Sequence, residues 1–538
     1  MQIIISTRFL RDSKLIRPQK CYTGNMRPVV LTILDGWGFS KQRLGNAILT
    51  AQTPTINEIA ANYPSMLLQA SGMGIGMTFG ESGNSEVGHL TLGAGRIIFQ
   101  YLTRINKAIE TDDFFTNSVL VDAAKHVKEN GSILHIVGLL TSGAVHAHFI
   151  HLKALIEFAQ KNELPFRLHL FMDGRDSGLK EGAATLRRLS DEVDGLSNLG
   201  SIVGRDFAMD RNHNWDRTEI AYKLLVNAVG NASDDVFKAL EGYYNQGMTD
   251  ANIPPTVVNP SPVNNGDALV FFNFREDSMR QLLRVFVENG FDLFLKKVPE
   301  NLYIATMTEY IESPALHVLF PPPAIKNCLA EVLADNGKKQ LHIAETEKYA
   351  HVTLFFNGLH NKPFSGEVDI FMESLEKPLE NPQMRASDIA RKVAEEMDRD
   401  LYDFFVLNLA NGDILAHLGV LNPAVIGVQA IDTALEILKE KILEKDGIMI
   451  ITADHGNAES MIYRGTGEKE TKHDDNPVPL YLIGREYQKP RSEEEVDRDM
   501  KQANGLLADV APTVLALMGI EKPVEMTGES LLPALGLL

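Results

Sequence analysis

GIMIITADHGNAE, residues 447–459, is an apolar run that stops abruptly at Asp454 and His455. A short run of this kind reads as a buried strand, and in open α/β sheets ligands gather at the carboxyl ends of the strands. The pattern recurs along the whole chain. PVVLTIL ends at Asp35, and SILHIVGLL ends near Thr141 and Ser142, with His146 and His148 just beyond. RLHLFM ends at Asp173, followed by Arg175 and Asp176; DALVFFNF ends at Arg275; DFFVLNLA ends at Asn411, before Asp413. Amphipathic stretches separate these runs, which predicts an α/β sheet with covering helices and one or two edges lined by polar groups. Ser387–Arg399 and Pro423–Lys445 carry helical spacing, with Ser387 as the expected cap, and LFPPPA around Pro321–Pro323 reads as a stiff connector.

The composition narrows the possibilities. A chain of 538 residues exceeds what one hydrophobic core usually supports, so two domains are expected. A formal charge of −19 argues against nucleic-acid or anionic-membrane binding through a general field, and an anionic substrate would need a locally basic pocket. Two cysteines, Cys21 and Cys328, cannot build a disulfide framework, which fits a reducing cytoplasm. No apolar run approaches the roughly 20 residues that span a membrane. Residues 1–26 are basic and poor in acids. They are expected to be an N-terminal extension, disordered or not translated, with Met26 as the start favoured over a targeting peptide.

The strand ends and nearby loops collect metal-ligand chemistry. Asp454 and His455 are adjacent, while Asp413 and His417 are four apart, so a helix would put both on one face. His473 lies in KHDDNPVP, whose prolines force an extended path, and Asp35 lies in LDGWG, where a glycine permits an immediate turn. Three Asp and three His suffice for two metal sites, the inventory of two-metal phosphoryl-transfer enzymes. Ser85, in GESGNSEVGH, enters a predicted helix whose free N–H groups would favour a phosphate; a plain helix cap is an equal alternative. Arg175, Arg205, Arg211, Arg217 and Arg275 fall near turns and strand ends, where a guanidinium could grip phosphate or carboxylate. Lys348 is equally readable as a phosphate-binding charge or a solvated one.

Taken in order, LDGWG, GNSEVGH, VHAH, DGRD, GR…AMDR…WDR, FFNFR, ETEKYAHVTLFFNG, TADHGNAE and HDDNPVP closely resemble the cofactor-independent phosphoglycerate mutases of the alkaline phosphatase superfamily. The resemblance implies two three-layer α/β domains. A phosphatase-like metal-binding domain, 27–99 and 323–538, would be interrupted by an inserted transferase domain, 100–322. It implies one metal, typically manganese, on Asp413, His417 and His473, and a second on Asp35, Ser85, Asp454 and His455. Ser85 would be the nucleophile that carries the phosphoryl group between the two hydroxyls of glycerate, with no need for 2,3-bisphosphoglycerate. His146, Arg175, Asp176, Arg205, Arg211 and Arg275 would bind phosphoglycerate, Lys348 would neutralise the transferring group, and domain closure would exclude water. A cytoplasmic monomer is expected. The chain departs from the family pattern at Ser142, where the family has Asp, and at Ser278, where it has Arg, with Arg280 displaced in register. An absent clamp would weaken phosphate binding by roughly 1.5–3 kcal/mol.

Overall fold

The run Val29–Leu34 is buried at every position, as a strand hydrogen-bonded on both sides and covered on both faces must be. The computed structural model describes residues 27–193, 196–463 and 465–537, so the expected extension at 1–26 lies outside the described residues. The chain divides into two compact units, one of residues 27–70, 84–95 and 327–537, the other of 71–83 and 96–326.

In the first unit eight strands lie in the order Glu367–Met372, Gln340–Glu345, Phe404–Leu409, Val29–Leu34, Ile448–Thr452, Val478–Ile483, Ser65–Gln69, Ala503–Leu506. Val29–Leu34 runs parallel to both neighbours, with Leu34 opposite Leu409 and Ile33 opposite Thr452. That register makes three chain segments leave the sheet side by side, one strand spacing of about 4.8 Å apart. Helix Leu421–Glu444 is long and apolar enough to cross a membrane by length and composition. It is nonetheless a core helix: Val428, Ile431, Leu435, Leu438 and Ile442 are buried along one stripe, and Asp432 accepts the Thr55 and Ile56 N–H groups at 3.1 and 2.8 Å. It begins two residues before Pro423, because a proline in the first turn costs no intrahelical bond. Ser387, expected as a cap, lies inside the first turn of helix Ala386–Asp398.

The second unit has its own eight-stranded sheet, in the order His317–Val318, Tyr303–Thr306, Ala268–Phe271, Leu134–Leu140, Phe166–Met172, Leu199–Gly204, Thr256–Val257, Asn231–Ala232. Leu140 stands opposite Met172, and Met172 opposite Gly204, so Thr141, Asp173 and Arg205 emerge together. Residues 71–83 group with this unit, whereas the sequence placed them within 27–99; Gln100 N–H donates to Gly76 O at 2.9 Å and holds the segment there. The joint on the far side falls at Lys326–Asn327, shortly after Pro321–Pro323.

A buried polar chain crosses the interior of the second unit. The Ser201 hydroxyl is 2.8 Å from His169 Nδ1, His169 Nε2 is 2.9 Å from His135 Nδ1, and His135 Nε2 is 3.1 Å from Asp267. A carboxylate only accepts, so His135 Nε2 is the donor to Asp267 at the end of this chain.

Candidate active site

Asp35, Ala410–Asn411 and Ala453–Asp454 follow directly on the three parallel central strands of the first unit, so the register that pairs the strands also assembles the site. Gly36 turns away at φ +70°, and a Cβ there would lie 2.8 Å from Asp413 Cα. Asp413 and His417 lie on helix Asn411–His417 and approach to 3.2 Å. Helix Ser85–Ala94 brings in the serine. Asn84 is its cap, accepting from Val87 N–H at 2.9 Å, which leaves the Ser85 hydroxyl for other partners.

The groups converge. Ser85 Oγ lies 2.6 Å from Lys348 Nζ, 2.9 Å from His455 Nε2 and 3.2 Å from Asp35 Oδ1. Lys348 donates further to Asp35 and Asp413, each at 2.7 Å. His417 Nε2 and His473 Nε2 face each other at 2.9 Å, and each lies 3.2 Å from Asp413 Oδ1. The sequence left Lys348 open; the fold buries it at the centre of this cluster.

The donor set suits divalent cations. Asp35, Asp413 and Asp454 are all buried, and the Lys348 ammonium pairs with Asp35 and Asp413. Burial and repulsion from Asp454 push the Asp35 pKa up. Burial opposes ionisation at Asp413 too, but His417, His473 and Lys348 outweigh it and hold that carboxyl well below the usual range. Burial alone would lower the Lys348 pKa; Asp35 and Asp413 reverse the sign and raise it. Asp454 Oδ2 is buried and accepts no hydrogen bond. His417 Nδ1 donates to Thr471 O at 2.7 Å, so in the neutral ring Nε2 is the lone pair, aimed at His473 and Asp413. Lone pairs that meet at 2.9–3.2 Å need a proton or a cation between them. Asp413, His455 and His473 form one such convergent group, and Asp35, His89 and Asp454 another.

His89 is the residue that sequence reasoning missed. Its Nδ1 lies 2.8 Å from Ser85 O, which can only accept, and its Nε2 accepts from Asn408 Nδ2 at 3.0 Å. Both nitrogens are therefore engaged, and although Nδ1 also lies 3.2 Å from Asp454, the ring acts as a brace. Asn408 donates to Asp35 Oδ2 at 2.6 Å as well, linking His89 and Asp35 through one amide.

The second unit gathers the basic residues at its own strand ends. Arg205, largely buried, donates to Asp173 at 2.5 Å and Asp176 at 2.7 Å, and the Thr141 hydroxyl donates to Asp173 at 2.5 Å. Burial works against the Asp173 charge, but Thr141, the Asp176 N–H and Arg205 together lower its pKa. Arg175 pairs with Asp206, Arg211 with Asp277 at 2.5 Å, and Arg275 lies 3.3 Å from Asp277. A cavity of ≈ 90 Å³ is lined by His146, Arg175, Arg205, Arg211, Arg217 and Ser278 among others. Ser278 Oγ lies 3.1 Å from His146 Nδ1. Arg280 does not stand in for an arginine at 278, because its Nε donates to Tyr310 O at 3.0 Å; Arg217 is the further cation at the cavity. Ser142 stays outside the cavity lining.

A central parallel sheet that delivers carboxylates and imidazoles around a serine at a helix start defines the alkaline-phosphatase-like class. Residues 268–520 match the family model described as sulfatase, and residues 105–312 the one described as the BPG-independent PGAM N-terminus. The 2,3-bisphosphoglycerate-independent phosphoglycerate mutase of Clostridioides difficile is 42% identical over 518 residues, 94% of this chain and 99% of the relative. That of a Synechococcus strain is 42% identical over 516 residues, 94% and 96% of the two chains. A solved phosphoglycerate mutase of Leishmania mexicana, at low cobalt concentration, superposes with a TM-score of 0.60 at 28% identity, covering 96% of this chain and 99% of that one. The chain belongs to the family of 2,3-bisphosphoglycerate-independent phosphoglycerate mutases.

Proposed function

We propose that this chain interconverts 3-phosphoglycerate and 2-phosphoglycerate in glycolysis and gluconeogenesis through a phosphoserine on Ser85, without 2,3-bisphosphoglycerate. The observation that carries the reading is the position of Ser85 Oγ, within hydrogen-bond reach of Lys348, His455 and Asp35. Asp413, His417 and His473 would hold one divalent ion, and Asp35, Ser85, Asp454 and His455 a second, with manganese as the proposed metal. When bound, such ions supply Lewis-acid polarisation and lower the pKa of the serine hydroxyl.

The chain's own residues account for the rest. Lys348 Nζ donates into Ser85 Oγ and so stabilises negative charge on it. Attack by Oγ on phosphorus, with loss of its hydroxyl proton, forms the Oγ–P bond and breaks the P–O bond to glycerate, whose oxygen takes up one proton in exchange. The return step uses the other glycerate hydroxyl, which gives up a proton as its oxygen takes the phosphoryl group and frees Ser85. The two half-reactions cancel in protons and water. Holding glycerate between them is the role proposed for His146, Arg175, Asp176, Arg205, Arg211 and Arg275, whose guanidinium groups match carboxylate and phosphate geometry. We place the enzyme in the cytoplasm as a monomer, with residues 27–70, 84–95 and 327–537 as the metal-binding domain and 71–83 and 96–326 as the inserted transferase domain.

The test is turnover of 3-phosphoglycerate with manganese and no 2,3-bisphosphoglycerate, following 2-phosphoglycerate and free phosphate together. Isomerisation without phosphate release, lost in Ser85→Ala along with a phosphorylated Ser85 peptide, is expected. Phosphate release without isomerisation would make the chain a phosphatase instead.

A further inference from the structure

Glu459 ends the TADHGNAE stretch, and neither the serine chemistry nor the ligand set uses it. Its carboxylate is 1% exposed. Oε2 accepts the Gly38 N–H at 3.0 Å and the Asn457 N–H at 2.9 Å, and Oε1 accepts from Asn476 Nδ2 at 3.1 Å. Each donor sits just past a ligand candidate: Gly38 after Asp35, Asn457 after Asp454 and His455, Asn476 after His473. Gly38 lies 421 positions from Glu459 and Asn476 lies 17 away, yet both segments meet the 457 turn on one carboxylate. A Cβ at Gly38 would lie 2.0 Å from Glu459 Oε1, and one at Gly456 2.3 Å, so the carboxylate occupies the space that side chains there would need. Neighbouring backbone bonds close the same knot: Ala458 N–H to Gly36 O at 2.9 Å and Asp474 N–H to Gly456 O at 3.1 Å.

We propose that Glu459 is a positioning residue that fixes the spacing of the three ligand loops, touching neither metal nor substrate. The inference rests on the ligand assignment made under Proposed function. Partners that orient ligands typically change metal affinity about 10–100-fold when removed. The role is one of geometry rather than charge. A glutamine could accept both backbone N–H groups through its carbonyl oxygen and meet a flipped Asn476 amide with its NH₂.

Two measurements on Glu459→Ala and Glu459→Gln test this. In metal-free protein, amide exchange at Gly38 and Asn457 should lose about tenfold of its protection in Glu459→Ala and stay near wild type in Glu459→Gln. Manganese titrated calorimetrically should bind Glu459→Ala about 10–100-fold more weakly and Glu459→Gln within about threefold of wild type. If Glu459→Ala does not fold, Asn476→Ala removes one donor alone, and its loss of protection should be confined to residues 473–477 with a severalfold weaker manganese affinity. Unchanged exchange and affinity in the alanine variants would overturn the proposal, as would a glutamine variant as damaged as Glu459→Ala. Altered exchange in a protein whose wild type binds no manganese would overturn the ligand assignment instead, and with it any link from Glu459 to metal.

Discussion

Lys348 Nζ stands 2.6 Å from Ser85 Oγ and 2.7 Å from each of Asp35 and Asp413, so a single ammonium touches the proposed nucleophile and both halves of the proposed ligand set. In a buried site such a charge is worth far more than in water, because no solvent competes for it.

Replacing it should therefore act on the chemical step. Lys348→Met is expected to lower kcat by about 10²–10³-fold with a smaller change in KM, read by steady-state kinetics with enolase coupling. A variant with wild-type kcat would remove Lys348 from the transfer step.

Chelation should abolish isomerisation, and added manganese should restore it. His473→Ala deletes one of two facing imidazoles at Asp413, so the metal content measured by elemental analysis should drop by one ion per chain while Ser85→Ala keeps a larger share. Equal metal content in His473→Ala and wild type would count against the Asp413–His417–His473 site.

Arg205 donates to both Asp173 and Asp176. Breaking a buried pair by removing one partner costs about 3–5 kcal/mol, so Arg205→Ala should lower the urea midpoint of unfolding and raise KM for phosphoglycerate. Arg205→Lys should recover part of the stability and little of the KM, since a point charge cannot hold two carboxylates in a planar fork.

Acid should loosen the second unit before it reaches the carboxylates. Burial and neighbouring His148 lower the His151 pKa to about 3, and burial followed by His135 holds His169 well below its ordinary value. A histidine depressed in the folded state takes up its proton more readily when unfolded, so its stabilisation is complete above about pH 6.5 and falls as pH drops toward the folded value. At pH 5 His151 alone should cost about 2 kcal/mol relative to pH 7. Denaturant midpoints between pH 7 and 5 check this, and His151→Gln should flatten the slope.

Much of this arrangement is legible in the sequence because strands covered on both faces are apolar until they leave the sheet. Asp35, Asp173, Asp413 and Asp454 mark those exits, and the i, i+4 spacing of Asp413 and His417 already places them on one helix face. The same spacing relates Ser85 to His89, and applying it there would have exposed the brace. Asn408 was hidden inside an apolar run, where a lone polar residue was itself the signal; the fold buries it completely. Glu459 and the placement of residues 71–83 depend on partners far away in sequence, which no local pattern records. Ser278 shows the other limit: a departure from a motif is visible, but that Arg280 turns to Tyr310 O instead of filling the gap is visible only in the folded chain.

The central strand Val29–Leu34 also has a consequence for how the protein is made. It is synthesised long before its partners: Asp35 meets Asn408 from 373 positions later and Gly36 meets Asp454 from 418 later. At 5–20 residues per second the strand waits roughly 20–80 s for its neighbours, while residues 96–326 emerge as one uninterrupted stretch that can fold in the meantime. Nascent chains thus carry a bare, largely apolar strand throughout that interval, and no truncated product ending before His473 holds the complete set of metal ligands proposed here.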